Sequence, residues 1–165
     1  MMGGAINLGE GVVLRPATQA DFDFINARLR EMDERETEVF GHKDARADLE
    51  AAWVILDGDV VVGYVGYLPL ADGSILSRSR FLAELTTDAV WSRKVKYVRY
   101  SRRVLKAVVA KMPPWVETLY TLPMKDYAGA VAWLERVLKM TRVGEVEVNG
   151  IPHVLFRITR KEVLE

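Results

Sequence analysis

Between Asp88 and Glu117 the chain places eight cations and no acid: Arg93, Lys94, Lys96, Arg99, Arg102, Arg103, Lys106 and Lys111. A run of one sign can hold phosphate oxygens, dock an acidic partner or follow nucleic acid, and salt weakens each of these. Solvated helix faces usually mix signs. Arg99, Arg102, Arg103 and Lys106 are therefore expected to be exposed and to contact something anionic: another protein, a second copy of the chain or DNA. Tyr97 and Tyr100 stand among the arginines and could stack on bases, although no known nucleic-acid motif accompanies them.

The remaining chemistry-bearing residues give weaker signals. Asp33-Glu34-Arg35-Glu36 offers carboxylates that could act as bases, and its spacing fits an acidic helix face better. His42 and His153 are the only histidines, fall in different elements and lack metal-ligand spacing, so no metal site is expected. Ser74–Arg80, SILSRSR, has no partner pattern for nucleophilic catalysis. Cysteine is absent, which excludes disulfides, thiol nucleophiles and cysteine-bound metal.

These residues need elements to hold them. Val12–Leu14 reads as a strand. Thr18 can cap a helix with Asp21 in its first turn, and Phe22, Ile25, Leu29 and Met32 carry helical spacing to about Asp33. A second acidic helix is expected over 35–50. Residues 52–56 and 60–67 flank Asp57-Gly58 as a hairpin, a turn whose two central residues would both need positive φ. Residues 69–80 read as a loop and 81–90 as a strand. Val98, Leu105, Val108, Val109 and Met112 share one face of the basic helix, which Pro113-Pro114 ends. A strand over 115–122, a helix over 128–140 and a second hairpin turning at Asn149-Gly150 complete the order. Trp53, Val61, Leu105, Leu134 and Phe156 are the expected core. The class is α/β, one domain over residues 1–165, with a mixed central sheet, helices on both faces and a C-terminal β-hairpin. Residues 1–10 are expected to be a flexible lead-in.

Composition limits the alternatives. The chain has 165 residues, is 50% hydrophobic and carries no net charge, so it can bury a core. The charge is uneven: residues 21–50 hold ten acids against five bases. No apolar run is long enough for a membrane span, and the N-terminus does not read as a signal peptide. Synthesis in a reducing cytoplasm is expected.

The element order and the opening LRPATQADF resemble the GCN5-related N-acetyltransferase (GNAT) fold. In that family a loop of the form Arg/Gln-x-x-Gly-x-Gly/Ala opens a helix and holds the pyrophosphate of acetyl-CoA. The matching stretch here is Arg93-Lys94-Val95-Lys96-Tyr97-Val98. Lys96 and Val98 stand at the small positions, and no glycine occurs between Gly73 and Gly129. Leu134 takes the place of the family's tyrosine general acid, and a leucine cannot donate a proton. The resemblance implies Glu84 as base, Tyr127 as a substitute acid, and Arg93, Lys94 and Lys96 as cofactor contacts if the chain is an enzyme.

The C-terminal half looks like a narrower group, the acetyltransferase-like internal virion proteins of short-tailed bacteriophages. That likeness rests on Thr86-Thr87-Asp88-Ala89-Val90-Trp91 before the basic helix. It implies a phage virion, assembly or DNA-ejection protein with an inactive fold. Such a protein would use no cofactor, bind other virion proteins, and reside in the virion and, during assembly, the host cytoplasm. The alternative it leaves is an acyl-CoA-dependent N-acyltransferase with a remodelled acetyl-CoA site.

Overall fold

In a computed structural model, which describes residues 4–29, 33, 35 and 49–165, the elements follow in this order: β1 (Ile6–Gly9), β2 (Val12–Pro16), α1 (Gln19–Asn26), β3 (Ala51–Asp57), β4 (Val60–Pro69), β5 (Ser79–Thr86), a 3-10 turn (Asp88–Arg93), α2 (Lys94–Lys111), β6 (Thr118–Thr121), α3 (Ala128–Arg136), β7 (Thr141–Val148), β8 (Ile151–Thr159) and α4 (Arg160–Leu164). The strands form one open eight-stranded sheet in the order β1-β2-β3-β4-β5-β6-β8-β7. Among the described residues only β5 and β6 run parallel. The fold class is therefore α/β with a mixed sheet.

Turn chemistry sets much of the sheet. Asn149 and Gly150 take φ of 49° and 78°, as a tight hairpin between β7 and β8 requires. The β3–β4 turn is shifted by one residue from expectation. Asp57 pairs with Val60, so Gly58-Asp59 turns the chain, and only Gly58 needs positive φ, at 62°. Gly63 serves a different purpose. A Cβ there would meet the Leu85 carbonyl oxygen at 2.2 Å, so glycine lets β4 lie close against the end of β5. β1, which pairs with β2, lies in the segment expected to be a flexible lead-in.

Several boundaries move for tertiary reasons. Thr18 and Asp21 form a reciprocal cap at α1. That helix stops at Asn26 rather than near Asp33, because Leu29 bridges to Thr87 and the Arg28 carbonyl accepts from the Asp88 amide. β5 stops at Thr86, since the Thr87 hydroxyl accepts from the Ala89 amide and starts the 3-10 turn. Met112 is extended, with ψ of 155°, as a residue before proline must be. α3 ends at Arg136, and Lys139 takes a left-handed φ of 59° beyond it. The second acidic helix expected over 35–50 and His42 lie outside the described residues, apart from a few positions at its ends.

Two apolar clusters hold the sheet. The larger joins Trp53, Val65, Leu119 and Phe156 to α2 and α3 through Tyr100, Leu105, Val108 and Leu134. The smaller packs Phe22 and Ile25 of α1 on Val54, Tyr64 and Leu85. Each such side chain, fully buried, contributes about 1.5–3 kcal/mol. Of the expected core, Val61 is only partly buried. Val98 is 46% exposed and not on the inward face of α2, which is made by Tyr100, Ser101, Val104, Leu105, Val108 and Val109. Among the described residues no helix is long and apolar enough to cross a membrane.

Candidate active site

The parallel pair β5 and β6 is matched only over Ser79–Phe81 and Thr118–Tyr120. The Thr121 hydroxyl donates to the Leu82 carbonyl at 3.1 Å, and there β6 ends. β5 runs on to Thr86 with β4 at its other edge, Glu84 lying opposite Val65 and Thr86 opposite Gly63. A gap therefore opens beside residues 83–86. This is the place in an open sheet where strands part and ligands find backbone groups and side chains together.

Glu84 lies on this stretch of β5 and is half-buried. Its Oε1 accepts a hydrogen bond from the Tyr97 hydroxyl, delivered from the first turn of α2. The Tyr97 ring is held edge-on to Tyr100, with centroids 5.4 Å apart, and lies 5.9 Å from Trp133 of α3. Trp133 in turn donates to the Ser101 hydroxyl at 3.2 Å, tying α3 to α2. On the strand side, the Asp33 carboxylate accepts from the Thr86 hydroxyl at 2.8 Å and from the Thr86 amide at 3.2 Å. Asp33 is buried. Sequence reading placed it on an acidic helix face, and no local pattern could have brought it to Thr86.

Burial, then the negative charge of Glu84 and the hydrogen bond to it, push the Tyr97 hydroxyl well above its usual range, with Tyr100 and Asp33 adding to this. Burial chiefly, then Glu84 and Asp57, also raise Tyr100, which Arg93 partly offsets. The Tyr100 hydroxyl is fully buried and has no hydrogen-bond partner among the described residues. A buried donor left unmatched costs about 1–3 kcal/mol, so a ligand or water there would be favoured.

The cations at the head of α2 already hold an anion. Lys96 Nζ lies 2.7 Å from one Asp57 oxygen and Arg93 Nε 3.2 Å from the other. The helix begins at Lys94 straight from the 3-10 turn, with no side chain capping Arg93. Residues 94–98, where the family has its glycine-type loop, are the first residues of α2, and as the sequence indicated no glycine lies among them. Lys94 is exposed at the helix start. Further along, Arg99 and Arg103 reach Glu10 in the β1–β2 turn, at 2.8 and 3.4 Å. Arg102 donates weakly to the Val137 carbonyl, and Lys106 is exposed. Tyr127 caps α3 by position and is largely buried. Leu134 is core. Among the described residues no group of three His, Cys, Asp or Glu side chains converges as a metal site.

No family model and no curated protein matches the sequence. Solved structures match the fold. The spermidine N-acetyltransferase of Vibrio cholerae, in complex with CoA and spermine, has a TM-score of 0.66 at 14% identity, over 95% of this chain and 100% of that one. A GNAT-family acetyltransferase from Bacillus anthracis gives 0.68 at 12%, over 93% and 97%. An aminoglycoside acetyltransferase in complex with coenzyme A gives 0.67 at 19%, over 92% and 96%. The fold is that of the GNAT acetyltransferases.

Two expectations change with that finding. The reading as a phage virion protein working without a cofactor is overturned, because the structural neighbours are acetyltransferases and two of those named hold coenzyme A. The signature that carried it, Thr86-Thr87-Asp88, has a local explanation in this GNAT-type sheet. Thr86 binds Asp33, and Thr87 donates to the Val61 carbonyl while capping the 3-10 turn.

Proposed function

We propose that the chain is an acyl-CoA-dependent N-acyltransferase whose reaction centre lies around Glu84. The observation that carries this reading is a carboxylate on the stretch of β5 that runs on past β6, with a phenol bonded to it. Amines arrive protonated at neutral pH, and the carboxylates of Glu84 and Asp33 favour a cation. Glu84 is placed to take its proton, which frees the lone pair needed for attack.

Acyl-CoA would supply the activated acyl group. The residues present fit it in three respects. Arg93 and Lys96 already bind a carboxylate, an oxyanion of the same charge type as a phosphate. The start of α2 carries no side-chain cap, and a helix N-terminus has a dipole favourable to anions. Tyr100 holds an unmatched hydroxyl beside Glu84. Arg93, Lys94 and Lys96 would hold the phosphates, with Asp57 as their internal competitor.

Calorimetry with acetyl-CoA is the first test, and a dissociation constant in about the micromolar range is expected. Thiol release is then followed with acetyl-CoA and a panel of spermidine, an aminoglycoside and a lysine peptide. Turnover with at least one amine is expected, falling about 100-fold or more in Glu84→Gln with binding of acetyl-CoA little changed. Absence of both binding and turnover would reject the proposal.

A further inference from the structure

We infer that a cavity between α2, the end of α3 and α4 binds a small monocarboxylate, at a site separate from the one proposed for acyl-CoA. The cavity has a volume of about 200 Å³. Three cations line it: Arg102 and Lys106 of α2, and Lys139 just beyond α3. They differ from the other cations of α2. Arg93 and Lys96 hold Asp57, and Arg99 and Arg103 hold Glu10. Among the described residues no carboxylate pairs with the side chain of Lys106 or of Lys139, and both side chains are exposed. Arg102 makes a long bond of 3.4 Å to the Val137 carbonyl. Helical rise puts Lys106 about 15 Å beyond Lys96 along α2, so one small ligand cannot use both groups of cations.

The lining sets the chemistry of the ligand. Leu105, Leu138, Ile158 and Val163 supply its apolar part and are themselves buried. Glu162 and Glu165 of α4 and its end also line it, so three cations are set against two carboxylates and one positive charge remains. Both acids are already engaged. Glu162 caps α4 through the Thr159 hydroxyl and amide, and Glu165 lies 3.8 Å from Lys161. They would repel a polyphosphate, whereas a single carboxylate matches the balance. A dry apolar cavity of about 150 Å³ holds benzene, so there is room here for a short chain or one ring beside the acid group. The backbone supplies an independent sign. Lys139 takes a φ of 59°, a left-handed conformation that glycine enters freely and other residues enter at a cost. Glycine is the usual choice just past a helix end. A lysine held there carries strain that brings a cation to the cavity and does nothing for the fold.

The full chain, labelled with nitrogen-15, is titrated with sodium hexanoate and followed by its amide resonances. Saturable shifts are expected at Leu105, Leu138 and Val163, with a dissociation constant of about 1 mM or tighter. Hexanol has the apolar body without the charge, and inorganic phosphate the charge without the body. Each should bind at least about tenfold more weakly than hexanoate. Shifts that do not saturate, or phosphate bound as tightly as hexanoate, overturn the monocarboxylate site. Saturating acetyl-CoA should leave the hexanoate constant within about twofold. Competition between the two would seat hexanoate at the head of α2 and overturn the separate site. The titration needs no turnover, so it decides the matter even if the acyltransferase reading fails. Lys139→Gly should melt at or above the parent chain, because glycine relieves the left-handed φ, yet bind hexanoate about tenfold more weakly. Lys106→Ala, at an exposed helix position, should weaken binding by a similar factor. Either variant binding within about twofold of the parent, or a Lys139→Gly that melts below it, overturns the assignment.

Discussion

Asp21 shows how one carboxylate ties a strand to a helix. Its two oxygens each lie 2.9 Å from the Arg15 guanidinium, and one accepts from the Thr18 amide at 2.7 Å. Burial works against its charge, but Arg15 and Thr18 outweigh that and hold the carboxyl below its usual value. A folded pKa below the unfolded one means stability present above about pH 4 and lost as pH falls through the folded value. Asp21→Asn should therefore melt below the parent chain at neutral pH, with the gap narrowing toward about pH 3. Melts across pH check this; a gap that stays constant would show that ionisation is not its source. Leu134 makes the complementary apolar case. It is 5% exposed, so Leu134→Ala should cost about 2–5 kcal/mol in urea unfolding. A loss under about 0.5 kcal/mol would mean that α3 does not pack as described.

At the scale of elements, α2 is where charge and packing meet. Its apolar stripe lies on the sheet, and its cations reach Glu10, in the turn between β1 and β2, and Asp57, at the end of β3. The two contacts differ in weight. Arg99 and Arg103 are about half exposed, so their pairing with Glu10 is worth at most about 1 kcal/mol, and Glu10→Ala should hardly shift the melting temperature. The Asp57 side chain is 10% exposed and holds two cations. Asp57→Asn should cost about 2 kcal/mol in urea unfolding. It should also tighten acetyl-CoA in calorimetry, because Arg93 and Lys96 lose their internal anion. A variant that is destabilised and binds acetyl-CoA no better would reduce Asp57 to a structural anchor and remove Arg93 and Lys96 from the cofactor site.

At the scale of the whole molecule, the sheet is two blocks joined along a short parallel seam. β1 to β5 form an antiparallel block, β6 to β8 a second one, and three residue pairs of β5 and β6 join them. The Tyr97–Glu84 bond ties α2 to β5, and the Trp133–Ser101 bond ties α3 to α2. A ligand bound only by the folded chain opposes its unfolding. Acetyl-CoA at 100 times its dissociation constant should raise stability by about 2.7 kcal/mol, seen as a higher melting temperature. No shift at saturating acetyl-CoA would count against the site.

The sequence alone determined what depends on neighbours along the chain. Thr18 and Asp21 announced the α1 cap, Asn149-Gly150 the last hairpin, Pro113-Pro114 the end of α2, and alternation the strands of a mixed α/β sheet. Each follows from φ/ψ limits or from hydrogen bonds within a few residues. It also showed that no glycine lines the head of α2. Tertiary structure alone decided which carboxylate meets which partner. Glu84 and Tyr97 face each other because β5 ends in a 3-10 turn rather than continuing as strand, which sets where α2 begins. Asp33 reaches Thr86 across 53 positions. The basic helix had no visible counterion in its own segment. Its anions come from Glu10 and Asp57, 89 and 39 positions away from Arg99 and Lys96. Such contacts are fixed by sheet register and helix docking, which depend on the packing of the whole core, so no local pattern can encode them.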